Sequence, residues 1–498
     1  VRSRLRWLDP WTGVVCAVAL VTYLLHGFDG ALGRDLGVYA YAGQQVADGV
    51  PPYVAILNRA GPLAHLIPGI GAFAARTVGV DELFGMRLLF TLISVTAVGV
   101  TYRLGRDLFR SQLAGLSAAA AMLCFHGFVT YATYGPREKT SMVLFLVCAL
   151  LAVTHQRWAT AGVFVALGTL TWQPVFFAAI AGVVVALLLG VRSGRPRALA
   201  GLAVGGIVPT AITVGWYAAI GHLRLFLDDF LLINARYTEQ ISPLDFPGWI
   251  RDVLVKGYGW SLGVFVVGAI ALLVLAVGTT AARTWRREPT DAALVGVGVT
   301  LVVGSLWSLR AFNGWPDAFF LLPPAAVGIG GLVAAVGRRF PGRTTVVLAL
   351  AWVTLATAAT VFFSVGTRDE RLDAQKADVA AILGLLPPDA TMLSVEAPEP
   401  LVLAHLRNLS RFQLFGNGLD AYLDDTWPGG SEGYGRWIAK REPTIIALGE
   451  KLPPEWLAPV LFDSYQKIGA SLGWNWYVRE DVGRPTREAL RTAVQGPT

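Results

Sequence analysis

Charge is what this sequence has least of. Of its 498 residues 15% are Asp, Glu, Lys or Arg, against 54% hydrophobic, and a soluble domain needs more polar surface than that to cover its core. Cysteine is nearly absent: Cys16, Cys124 and Cys148 are the only three. Each lies inside an apolar block, so no disulfide framework and no metal-ligand spacing can be drawn, and they read as small packing residues. His26, His65, His126 and His222 are scattered and form no H-x-x-x-H pattern. A phosphate-binding Walker loop, a G-x-S-x-G elbow and a dinucleotide fingerprint are all missing, as are repeats of solenoid period and low-complexity tracts. Net charge is +7, but the basic residues are dispersed in short loops between apolar blocks. This is the balance that basic cytoplasmic loops produce, so no nucleic-acid partner is expected.

What is present is a succession of apolar blocks long enough to cross a bilayer. Residues 12–28 follow Arg2, Arg4 and Arg6 and have the outline of a signal peptide. No small-residue cleavage site follows and many more blocks do, so they are expected to form the first membrane helix. Further spans are expected at 84–102, 114–132 and 140–155, then at 158–173 and 174–190, two short helices joined at Pro174. The series continues at 199–220, 260–280, 292–308, 318–336 and 344–366. With the N-terminus in the cytoplasm, the loops returning to that side carry Arg103, Arg106 and Arg110; Arg157; Arg192, Arg195 and Arg197; Arg283, Arg286 and Arg287; and Arg338, Arg339 and Arg343. A missing or additional helix would invert every later loop and destroy this agreement. The expected class is therefore a polytopic α-helical membrane protein with roughly eleven transmembrane helices.

Two longer segments fall on the opposite side. The first external loop, 29–82, has helical spacing at Leu36, Tyr39, Gly43 and Val46, and an apolar stretch, 62–78, that reads as an interfacial helix rather than a span. From residue 367 to 498 the composition turns polar. Strands are expected at 392–395, 444–448 and 474–479 and a helix at 454–465. The domains are thus 1–366, membrane-embedded, and 367–498, an extracytoplasmic α/β domain; the protein is expected to be a multi-pass cell-membrane protein.

Sorted by side, the acids Asp29, Asp35, Glu138, Asp228, Asp229 and Asp317 all fall outside, near span ends, with Arg34, Arg59, Arg137, Lys139, Arg236 and Arg310. Asp35 precedes the amphipathic stretch 36–46. It reads as a first-turn carboxylate complementing the helix dipole or as a general base at the membrane surface. Glu138, after Pro136 and Arg137, has the same two readings. Asp228 and Asp229 read first as a solvated helix face, and Arg310, Asn313 and Asp317 as a tight loop shaped by its Asn-Gly step.

The first loop, with Arg34-Asp35-Leu36-Gly37-Val38-Tyr39, Gly49-Val50-Pro51-Pro52-Tyr53 and Asn58-Arg59-Ala60-Gly61-Pro62-Leu63, resembles that of the GT-C-fold glycosyltransferases, in particular the protein O-mannosyltransferase and aminoarabinose transferase families. Similar features recur at 158–173, at Trp216-Tyr217 with Asn234 and Tyr237, and ahead of Phe319-Phe320-Leu321-Leu322-Pro323-Pro324. Three departures stand out. Arg34 precedes Asp35 and Leu36 follows it where an acidic pair is common, Arg59-Ala60-Gly61-Pro62 replaces a Lys-Pro-Pro step, and Pro316-Asp317 replaces a His-Tyr pair.

The resemblance implies an inverting transferase that moves a sugar from a polyprenyl-phosphate donor to an acceptor at the outer membrane face. It maps the catalytic base onto Asp35 and a second acidic site residue, to orient the acceptor or bind a divalent ion, onto Glu138. Arg59, Arg137, Lys139 and Arg310 are then expected to hold the donor phosphate, and Tyr39, Tyr53, Asp229 and Asp317 to contact sugar or acceptor. Partners are the lipid-linked sugar, membrane lipids and an acceptor glycan, lipid or protein. A divalent metal is the one cofactor the resemblance leaves open. The alternatives are a transporter or scramblase of lipid-linked precursors, disfavoured by the scarcity of mid-span charge, and a catalytically degenerate relative acting in envelope assembly. Asp35, Glu138 and at least one of the four cations are expected to line one external pocket.

Overall fold

A computed structural model describes residues 9–239, 242, 244–286, 291–340, 342–450 and 452–494; Arg2, Arg4, Arg6 and Arg287 lie outside them. The chain is mostly helical. Each apolar block of the sequence becomes a helix: Pro10–His26, Glu82–Phe109, the pair Gln112–Cys124 and His126–Tyr134, Glu138–Thr154, Trp158–Thr169, Val175–Gly190, Arg195–Ala219, Ser261–Arg286, Ala292–Arg310, Leu322–Arg339 and Arg343–Gly366. Among the described residues, six helices are long and apolar enough to cross a membrane, and seven if the pair broken at Phe125, bent by 68°, counts as one. Several others are shorter than a bilayer core needs when straight.

The helix starts follow from local chemistry. Asp81 accepts from the Phe84 backbone N–H at 2.9 Å, and Asp291 from that of Leu294 at 3.1 Å; each carboxylate satisfies an N–H the helix leaves orphaned. Between helices, small residues set the distance. A Cβ on Gly162 would stand 2.2 Å from the Leu202 carbonyl oxygen, so only glycine lets Trp158–Thr169 and Arg195–Ala219 pack this closely. Outward-facing side chains are apolar and open: Ile212 is 68% exposed, Leu355 68% and Phe362 81%. Surface of that kind, repeated around a bundle, belongs against hydrocarbon.

The polar tail forms a four-stranded sheet, β1 (Met392–Val395), β2 (Ile445–Gly449), β3 (Tyr465–Ser471) and β4 (Trp474–Arg479), in the order β1-β2-β4-β3. β1 and β2 are parallel and the other pairs antiparallel. The helix expected at 454–465 is confined to Ala458–Ser464, and Tyr465 opens β3 instead.

This sheet does not stand apart from the first loop. Gln375 accepts from the Leu32 N–H at 2.7 Å and donates to its carbonyl at 3.1 Å; the Asn408 N–H donates to the Tyr41 hydroxyl at 3.0 Å; the Leu57 N–H donates to the Arg411 carbonyl at 2.7 Å. One apolar core runs from Leu36 and Tyr41 through Met86 to Trp474 and Trp476. The loop helices Arg34–Ala47 and Leu63–Val78 are therefore clamped between the membrane bundle and the sheet.

Candidate active site

That clamp brings the beginnings of three helical segments to one cavity of about 760 Å³. Helix Arg34–Ala47 carries Arg34 and Asp35 in its first turn. Helix Glu138–Thr154 opens with Glu138 and Lys139 directly after Arg137. The turn Trp315–Leu321 carries Asp317. Acids in a first turn complement the helix dipole, and here they also pair laterally.

Seven charges alternate along the wall. Arg34 donates to Glu396 at 2.5 Å and to Asp35 Oδ1 at 3.1 Å. Arg137 donates to Asp35 Oδ2 at 2.7 Å, and its Nε lies 3.2 Å from Glu138 Oε2, a charge contact without hydrogen-bond alignment. The Lys139 ammonium is 3.5 Å from Glu138 Oε1 and donates to Asp317, whose other oxygen accepts from the Asn313 N–H at 2.6 Å. Glu138, Lys139 and Arg137 are buried, whereas the Asp35 side chain is 48% exposed, open to the cavity. The Arg137 guanidinium, assisted by Arg34, holds the Asp35 carboxyl far below its ordinary range, against the opposing effect of burial.

The tail supplies Glu396. It follows β1 with a left-handed backbone (φ 57°), and its Oε1 accepts from the backbone N–H groups of Phe415 at 2.6 Å and Gly416 at 3.1 Å. A charged residue at the carboxyl end of a buried strand is the sequence signal that marks such a position. Lys256, on helix Pro247–Tyr258, also lines the cavity, and sequence reasoning did not single it out. Arg59 and Lys256 have no carboxylate within ion-pair distance among the described residues, so both bring uncompensated positive charge to the cavity. Arg59 sits on a pinned loop. Its carbonyl accepts from Gln173 at 2.9 Å and Asn234 at 2.8 Å, and the neighbouring Gly61 lies so close to Leu170 that a Cβ would be 2.0 Å from its carbonyl oxygen. The floor is aromatic: the Arg137 guanidinium lies 5.4 Å from the Tyr131 ring centre and 5.9 Å from that of Tyr39, and Lys139 lies 5.1 Å from Trp172.

Of the ten residues to which the resemblance gave site roles, Asp35, Glu138, Arg59, Arg137, Lys139, Tyr39 and Asp317 line this cavity, and three do not. Arg310 ends helix Ala292–Arg310 with its guanidinium 5.9 Å from the Trp307 ring. Tyr53 is fully buried beneath the Arg59 loop, donating to the Ala60 carbonyl at 2.8 Å. Asp229 is fully buried rather than on a solvated face, with one Arg411 nitrogen 2.5 and 2.6 Å from its two oxygens. Burial pushes its carboxyl up to about 7 and Arg411 opposes that. Depth was not readable in the sequence: Asp229 lies in the π-helical stretch Asp228–Tyr237 and is fully buried.

The donor set does not fit a divalent cation. Arg137 and Lys139 stand between the carboxylates, and among the described residues no three His, Cys, Asp or Glu gather to hold a metal.

A family profile described as dolichyl-phosphate-mannose-protein mannosyltransferase matches residues 67–216. No curated protein matches by sequence. Solved structures do match over nearly the whole length. ArnT from Cupriavidus metallidurans bound to undecaprenyl phosphate superposes with a TM-score of 0.65 at 14% identity, covering 94% of this chain and 98% of that one. The protein has the GT-C glycosyltransferase fold. Other GT-C structures align less closely. The arabinofuranosyltransferase AftD from Mycobacteria gives 0.53 at 15% identity, over 94% of this chain and 40% of that one. The Archaeoglobus fulgidus oligosaccharyltransferase tethered to an acceptor peptide gives 0.51 at 12% identity, over 96% and 75%.

Proposed function

We propose that this GT-C protein transfers a sugar from a polyprenyl-phosphate donor to an acceptor hydroxyl at the outer face of the membrane, with inversion and with Asp35 as general base. The observation that carries the reading is the cavity itself, an alternating ion-pair wall that holds the open Asp35 carboxylate between two arginines and is faced by two cations without carboxylate partners among the described residues. The fold shared with ArnT, whose structure holds undecaprenyl phosphate, supports the donor class.

The chemistry follows from charge. When the anomeric C–O bond breaks, the electron pair stays on the lipid phosphate. That leaving group needs positive charge more than it needs a proton, and Arg59 and Lys256, with Lys139, supply it. Asp35 takes the proton from the acceptor hydroxyl as its oxygen bonds to the opposite face of the anomeric carbon. A carboxylate held this acidic is a weak base, so the proton moves late, after the attacking oxygen has become acidic. Glu138 orients Arg137 and through it Asp35. A transporter would carry the same lipid without consuming it. The test is purified protein in vesicles with labelled polyprenyl-phosphate sugars, monitored for release of polyprenyl phosphate. Release with several acceptors supports transfer, and translocation of intact donor without cleavage contradicts it.

A further inference from the structure

A second cavity of about 500 Å³ lies between helices Ser261–Arg286, Leu322–Arg339 and Arg343–Gly366 and shares no lining residue with the charged one. Its walls are aliphatic and end in two indoles, Trp260 and Trp352. Two of its three polar side chains are already used: the Trp352 N–H donates to the Ser117 carbonyl at 3.3 Å and the Thr345 hydroxyl donates to the Phe340 carbonyl at 2.5 Å, leaving the Trp260 N–H at one end. Gly263 lines the groove, and a Cβ there would meet nothing within 4 Å. Between the indoles an occupant therefore meets almost only hydrocarbon.

One end of the groove is different. Val336 and Thr345 lie near the facing ends of helices Leu322–Arg339 and Arg343–Gly366, and Arg338, Arg339 and Arg343 stand at those ends. All three arginines are exposed, with no carboxylate within ion-pair distance among the described residues, and Phe340 between them is 63% exposed. An apolar slot that ends near three exposed arginines matches one amphiphile, a hydrocarbon chain with an anionic phosphate at its end.

We propose that this groove is a binding site for an anionic phospholipid, one acyl chain lying between the three helices and the phosphate held by Arg338, Arg339 and Arg343. The site is separate from the donor cavity and stands whether or not the protein is a transferase. The experiment is native mass spectrometry of the full chain, delipidated in detergent and titrated with phosphatidylglycerol, phosphatidylcholine of the same acyl chains, or undecaprenyl phosphate. One phosphatidylglycerol is expected to be retained about tenfold or more over phosphatidylcholine. The triple variant R338Q/R339Q/R343Q is expected to lose this preference, and R338K/R339K/R343K to keep it. Gly263→Phe, which puts a ring into the open slot, is expected to lower retention while the protein stays monodisperse. Equal retention of the neutral lipid, unchanged preference in the Gln variant, unchanged retention in Gly263→Phe, or displacement of phosphatidylglycerol by equimolar undecaprenyl phosphate would each overturn the proposal.

Discussion

Replacing Asp35 by Asn separates chemistry from architecture at the centre of the cavity. The wall holds four carboxylates, Glu396, Asp35, Glu138 and Asp317, and three cations, Arg34, Arg137 and Lys139, for one net negative charge. In Asp35→Asn the formal charges balance. Arg34 keeps Glu396 at 2.5 Å, and Arg137 keeps Glu138 at 3.2 Å. Neither cation loses its last carboxylate, so the loss of stability is expected to stay within about 1–2 kcal/mol. The base is gone, however. Transfer is expected to fall about a hundredfold or more, equivalent to about 2.7 kcal/mol or more of barrier. Because phosphate recognition rests on Arg59, Lys256 and Lys139, the fall is expected in kcat while donor KM stays near its original value or drops. The assay is donor cleavage by purified variant and parent protein in vesicles, with the thermal midpoint measured on the same samples. Turnover within about threefold of the parent, with an intact fold, would remove Asp35 from the mechanism.

Two further outcomes follow. Asp35 titrates below its ordinary value of 3.8. It is thus ionised throughout the neutral range, and its stabilising ion pairs are present above that value and lost only as pH falls through the depressed one. The kcat/KM profile is expected to show no Asp35 limb from about pH 5 to 8, and a limb near pH 6 that vanishes in Asp35→Asn would refute this geometry. Arg411→Met leaves Asp229 buried without its cation and is expected to cost about 3–5 kcal/mol at pH 8. The loss should be smaller at pH 5, because a carboxyl already raised to about 7 rises further and is neutral there. Equal loss of thermal midpoint at both pH values would show that Asp229 is not the uncompensated charge.

The membrane helices were legible because an apolar block of helical length has few other fates. The break at Phe125 was not. Nothing between 112 and 134 reads as a breaker at that point. The freed His126 N–H is satisfied by the Ser261 hydroxyl at 3.3 Å, and Trp315 packs where a Gly127 side chain would be, both partners more than a hundred residues away. β3 was hidden because a register irregularity between Lys467 and Gly469 interrupts its alternation. In the site, Asp35, Glu138 and Lys139 were readable as charges at the starts of apolar helices. Glu396 was marked only by its place after a buried strand and Arg411 by nothing local, since both matter only once the tail folds over the first loop.

The central claim, that the charged cavity receives a lipid phosphate, is tested most directly by binding undecaprenyl phosphate to purified protein. Parent, Arg59→Gln/Lys256→Gln and Asp35→Asn should be compared, with a structure of the parent complex. The account predicts the phosphate beside Arg59 and Lys256, affinity reduced about tenfold or more in the double variant, and affinity retained in Asp35→Asn. Equal affinity in the double variant, with the phosphate bound outside the cavity, would contradict it.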